Sequence, residues 1–122
     1  MDIIFNILLV AVLFWFIYQR FVPTKGIKQS NTTKLKQLLE EKNTYQFIDV
    51  RTPMEFRNNH IKGFSNIPLN ELTTRHTELN QDKEIVVICQ SGMRSNKATK
   101  ILKKQGFTKI TNIRGGMAAW SH

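Results

Sequence analysis

The sequence predicts an α/β domain, a parallel central sheet with helices on both faces, preceded by one N-terminal transmembrane helix. Three observations carry this expectation. From residue 27 onward, short β-rich apolar runs alternate with helix-patterned stretches. One of those runs, EIVVI (Glu84 to Ile88), is apolar enough to be buried on both faces, as strands of a parallel sheet are. The third is the contrast at the start of the chain, where from Ile3 to Val22 only Asn6, Gln19 and Arg20 are strongly polar.

Composition narrows the rest. The chain has 122 residues, and 18 Lys+Arg against 9 Asp+Glu give a formal net charge of +9. Hydrophobic residues make up 41%, which excludes a disordered chain, a collagen and a coiled coil. Cys89 is the single cysteine, so neither an intrachain disulfide nor a cysteine-rich zinc site can form.

Residues 1–22 form the first element. About 20 apolar residues at 1.5 Å each give roughly 30 Å of helix, the thickness of a hydrocarbon core. Trp15, Phe16 and Tyr18 fall where amphipathic rings favour headgroups, and Arg20 can snorkel to water. A core helix would not be apolar on every face. A cleaved signal peptide would carry basic residues before the run and a small-residue cleavage site after it; Met1-Asp2 and YQRFVPTKG supply neither. Arg20, Lys25 and Lys28 follow the run and no Lys or Arg precedes it. The expectation is therefore a single-pass anchor in the cell membrane with the C-terminal domain in the cytoplasm, where Cys89 stays a free thiol. The excess positive charge suits either anionic lipid or simple solubility. No basic stripe interleaved with aromatics marks a nucleic-acid surface.

Pro23 to Gly26 reads as a linker, and 27–122 as one domain. Asn31-Thr32-Thr33 caps a helix through LKQLLEEK, with Leu35, Leu38 and Leu39 on one face. Gln46 to Val50 is a buried strand, and Pro53 opens a helical turn. Asn66 to Leu69 is a short strand, Glu71 to Leu79 a helix, and Asn80 to Lys83 a turn. After Glu84 to Ile88 comes CQSGMRS, then a helix from Ser95 to Lys104 stopped by Gly106. Lys109 to Ile113 is the last strand, before the Gly115-Gly116 turn and Trp120.

Cys89 thus falls at the carboxyl end of the strongest strand, where α/β sheets place their ligands. A loop from Gln90 to Ser95 between a strand and a helix N-terminus can turn successive N–H groups toward one point. That nest and the helix dipole favour an anion. Gly92 permits the tight backbone and Arg94 adds a full positive charge. All three favour a thiolate, the nucleophilic form of cysteine. The plain alternative is a small buried cysteine at a strand end.

EIVVICQSGMRSNKATKIL resembles the active-site strand, loop and helix of the rhodanese-like (thiosulfate sulfurtransferase) domain. FIDVRTPMEF, HIKGFSNIPL and GFTKITNIRGGMAAW are similar, in order, to further segments of that family, over Ile27 to Trp120. The resemblance implies that Cys89 accepts a sulfane sulfur as a persulfide and passes it to a thiol or cyanide-like acceptor. It implies that Gln90, Ser91, Gly92, Met93, Arg94 and Ser95 bind the donor, with Arg94 orienting an anion such as thiosulfate. Many active members carry a basic residue where this chain has Gln90, which bears on substrate preference.

Asp49, Arg51 and Glu55 are expected to be structural: a buried carboxylate satisfied by loop N–H groups, and an ion pair. His60 is expected to bond backbone, and Trp120 to fill core or cover an apolar edge. His76 and His122 lack metal-ligand spacing, so neither metal nor cofactor is expected. Two other functions stay open. One is a low-turnover module that binds, delivers or senses sulfane sulfur for a membrane partner. The other is a cysteine-dependent phosphatase, disfavoured because four residues separate Cys89 from Arg94 where the phosphatase loop has five.

Overall fold

A computed structural model describes residues 2–21 and 26–120, with the side chains of 19–21 left out. In chain order the elements are α1 (Asp2–Phe21), β1 (Lys28–Ser30), α2 (Thr32–Leu38), β2 (Tyr45–Asp49), α3 (Pro53–Asn58), β3 (Ser65–Asn66), α4 (Leu72–Arg75), β4 (Glu84–Ile88), α5 (Met93–Lys104), β5 (Ile110–Ile113) and α6 (Gly116–Ala119). The five strands form one all-parallel sheet in the order β1-β5-β4-β2-β3.

Alternation along β4 sorts the core into two layers. Ile85 and Val87 face one side with Ile48, Leu72, Ala98 and Leu102, beneath α4 and α5. Val86 and Ile88 face the other, against Leu35, Leu38, Phe47 and Met117, beneath α2 and α6. Ile85, Val86, Val87 and Ile88 are all fully buried, as a strand with neighbours on both edges and helices on both faces requires. Asn31 caps α2 by accepting the Lys34 N–H, and Thr52 and Glu55 form a capping box on α3 with Pro53 in its first turn.

Several boundaries differ from the sequence expectation: the helix expected through Lys42 ends at Leu38, β2 runs Tyr45–Asp49 rather than Gln46 to Val50, and β5 begins at Ile110 rather than Lys109. β1 was not expected: Lys28-Gln29-Ser30 has no apolar residue, and as an edge strand held by β5 alone it needs none. The strand expected at Asn66 to Leu69 stops at Asn66, because Pro68 has no N–H to donate. The helix expected over Glu71 to Leu79 is a short α4 flanked by 3-10 turns at Leu69–Glu71 and His76–Glu78. There the Thr74 hydroxyl donates to Glu71 O and the His76 ring bonds Thr73 O, local contacts that compete with a regular helix. α5 begins at Met93, not Ser95, since Gly92 at φ 104° turns the chain straight into the helix.

The membrane-spanning segment expected at 1–22 forms a helix, α1, of 20 residues. From Ile3 to Tyr18 its large apolar side chains are all at least half exposed. Among the described residues, however, no helix is long and apolar enough to cross a membrane. The stretch with described side chains, 2–18, gives about 25 Å of helix against a core of about 30 Å. Val22, the linker from Pro23 to Lys25, the Arg20 side chain and His122 lie outside the described residues.

At the carboxyl end of β2, Asp49 and Arg51 form a buried pair, 0% and 3% exposed. The Arg51 guanidinium donates to both Asp49 oxygens at 2.8–3.0 Å and to Asn59 O at 2.6 Å, and the Arg51 N–H donates to Asp49 Oδ1. Arg51→Ala would strand a desolvated carboxylate. The expected loss is about 3–5 kcal/mol by chemical denaturation, against much less for an exposed change such as Arg57→Ala.

Candidate active site around Cys89

β4 delivers Cys89 to the carboxyl edge of the sheet with no exposed surface of its own. Its sulfur accepts the Gly92 N–H at 3.0 Å and lies 3.4 Å from the buried Ser95 hydroxyl. That hydroxyl donates to Gly92 O at 3.1 Å while the sulfur is a thiol. Once the sulfur carries negative charge the same hydroxyl can turn and donate to it.

The loop between β4 and α5 is only Cys89, Gln90, Ser91 and Gly92. The expected donors Met93, Arg94 and Ser95 lie instead in the first helical turn, where N–H groups have no intrahelical acceptor. The loop is gripped from behind by α6. Met117 N–H donates to Cys89 O at 2.8 Å, and Ala118 N–H to Gln90 O at 2.9 Å. In a trans peptide the C=O and the next N–H point opposite ways, so the N–H groups of Gln90 and Ser91 face away from α6. Gly116 makes this grip possible. A Cβ there would lie 2.2 Å from Cys89 O, an impossible contact. The sequence reading took Gly116 as a turn residue and missed this role; only the doubled glycine hinted at it.

The full positive charge and forked donor expected of Arg94 are engaged by a carboxylate. Its guanidinium donates to both Glu55 oxygens, at 2.6 and 3.0 Å, and this pairing raises its pKa further. Glu55 therefore belongs to Arg94 rather than to the Asp49–Arg51 pair, and it ties the start of α3 to the start of α5. It also accepts from the N–H and hydroxyl of Thr52. The Arg94 hydrogen bonds, followed by those from Thr52, outweigh desolvation and hold the Glu55 carboxyl at about 2. Asn66 braces the neighbouring segment, donating to the backbone oxygens of Asp49 and Arg51. His60 bonds Phe56 O at 2.8 Å and stacks on its ring, away from any proton-transfer partner in the described contacts. Gln90 and Ser91 are exposed, and Met93 is 55% exposed at the rim. Trp120 is half-buried against the α2 layer with Lys36 near its ring. Among the described residues no cluster of three His, Cys, Asp or Glu side chains gathers for a metal.

Comparison with known proteins gives the same outline. The family model described as a rhodanese-like domain matches residues 31–122. The uncharacterized protein YqhL of Bacillus subtilis is 45% identical over 75 residues, covering 62% of this chain and 60% of that protein. Thiosulfate sulfurtransferase GlpE of Shewanella oneidensis is 32% identical over 95 residues, covering 78% of this chain and 93% of that one. The crystal structure of a rhodanese-like domain protein from Staphylococcus aureus superposes with a TM-score of 0.72 at 30% identity, covering 78% and 92% of the two chains. The chain spans only 52% of another B. subtilis relative, so some relatives carry more than this domain.

Two outcomes follow from this geometry. Gly116→Ala must push the Cys89–Gln90 backbone aside, with an expected cost of about 1–3 kcal/mol in thermal or chemical melts and loss of any reaction at Cys89. The Glu55 contribution is fully present above pH 4.5 and fades as pH falls toward about 2. A third of its side chain is exposed, so Glu55→Gln should cost on the order of 1 kcal/mol at pH 7. Denaturation at pH 2 should show no difference between the two proteins.

Proposed function

The chain belongs to the rhodanese-like family, and from that premise we propose that it is a sulfurtransferase working through a persulfide on Cys89. The Cys89 thiolate attacks the sulfane sulfur of a donor such as thiosulfate, and sulfite leaves with the bonding pair. The resulting persulfide passes its outer sulfur to a thiol or to a cyanide-like acceptor. The observation that carries this reading is the sulfur of Cys89 held by the Gly92 N–H at the head of α5. There the amides of Gln90 and Ser91, turned from α6, and the helix terminus favour an added negative sulfur. The outer sulfur stands one S–S bond, about 2 Å, beyond the buried Sγ, which makes it the reachable atom. Arg94, paired with Glu55, shapes this site more than it charges it.

The complete burial of Cys89 favours a second reading, a low-turnover carrier that protects its sulfur until a membrane partner takes it. Both readings share the persulfide and differ in rate. The apolar exposure of α1 on all sides supports membrane attachment, with the backbone remaining helical to Phe21. In this proposal the domain lies on the cytoplasmic side, as the basic residues after the helix favour.

Intact-mass measurement after addition of thiosulfate should show a gain of about one sulfur atom, reversed by reductant. Cys89→Ser should abolish both that gain and thiosulfate:cyanide transfer; equal activity in the two proteins would overturn the persulfide reading. Rapid turnover with small acceptors selects the enzyme, and a stable persulfide with slow turnover selects the carrier. The full chain should remain with the membrane after alkaline carbonate washing, and extraction into the wash would refute anchoring.

A further inference from the structure

Outside α1, the exposed large hydrophobic side chains are Met54 and Met93, at 66% and 55%. Both stand at the carboxyl edge of the sheet, on the helices that follow the neighbouring strands β2 and β4. The Glu55–Arg94 ion pair, formed by the residues next to them in sequence, brings the two helix starts together beside Cys89. Exposed Arg57 and Lys97 lie one helical turn on from the two methionines, and exposed Arg114 ends β5 at the same edge. The carboxylates of this edge are already matched by arginines: Asp49 by Arg51, Glu55 by Arg94, Glu71 by Arg75. The three outer cations therefore face solvent with no acidic partner among the described contacts. The first described residue of the domain, Gly26, lies beside Lys103 at the end of α5, at the opposite edge of the sheet.

We propose that this face is the docking surface for an acidic protein that presents the acceptor thiol on a flexible arm. The inference rests on the persulfide reading and names its acceptor. Two soft methionines give an adaptable apolar centre, and the cations supply steering and complementarity. An outer sulfur only one S–S bond beyond a fully buried Sγ is reached most readily by a thiol on a slender arm. In the transfer, the arm's thiolate forms a bond to the outer sulfur of the Cys89 persulfide. The S–S bond breaks with its electron pair going to Cys89, which returns as a thiolate, and the acceptor leaves as a persulfide. No further oxidant or reductant is needed.

The test uses the full chain in detergent micelles, loaded with sulfane sulfur and freed of donor. Two peptides serve as acceptors, each with one terminal cysteine, one rich in glutamate and the other in lysine. The acidic peptide should take the sulfur about tenfold faster at low ionic strength, with the advantage shrinking as salt rises. The triple variant Arg57→Glu, Lys97→Glu, Arg114→Glu should load to the same mass and reverse the preference. Equal rates for the two peptides, or a preference the triple variant leaves intact, would overturn the proposal. Absence of any mass gain at Cys89 would instead overturn the persulfide reading beneath it.

Discussion

The site depends on one backbone constraint: the carbonyls of Cys89 and Gln90 are held from behind by the amides that open α6. A strand that ends and a helix that begins with four residues between them leave the chain little choice of path. Fixing two carbonyls on one side fixes the partner amides on the other. Gly116 admits the close approach and Gly92 makes the turn into α5, so two glycines set what the cysteine meets. α6 thereby shapes a loop much earlier in the sequence.

Charge at the site is arranged by pairing. Asp49–Arg51 and Glu55–Arg94 lie at the carboxyl ends of adjacent strands, and each acid is matched by an arginine held by more than one hydrogen bond. The Glu55–Arg94 pair ties the start of α3 to the start of α5, and Arg51 ties Asn59 at the end of α3 to the end of β2. In the proposed reaction an anionic sulfur would be stabilised by the Gly92 amide, which already points at Sγ, and by the nearby Ser95 hydroxyl. The loop at Gln90 is held through its backbone, by the Ala118 N–H, whatever side chain stands there.

Much of the fold was legible because burial leaves a strong signature. EIVVI could only be a central strand, and the spacing of Leu35, Leu38 and Leu39 could only be a covering helix. β1 was not legible, since an edge strand of Lys, Gln and Ser carries no apolar pattern. The position of Cys89 at a strand end, with a tight loop and a helix after it, was legible from the apolar run before it and the glycine behind it. The pairing of Arg94 with Glu55 was not, because 39 residues separate them and only the adjacency of β2 and β4 brings them together. The role of Gly116 was hidden for the same reason: close approach between distant segments leaves no local mark beyond the absence of a side chain. The N-terminal span was read from hydropathy alone; residues 2–21 form the helix α1, but among the described residues no helix is long and apolar enough to cross a membrane.

The central claim is that main-chain amides around Cys89 converge on a negatively charged sulfur. Backbone amide resonances of the full chain, recorded before and after loading with sulfane sulfur, test it most directly. The account predicts downfield proton shifts concentrated at residues 90–95, with Gly92 among them and little change elsewhere in the sheet. A loaded protein whose amides in that stretch do not move, while others do, would contradict it.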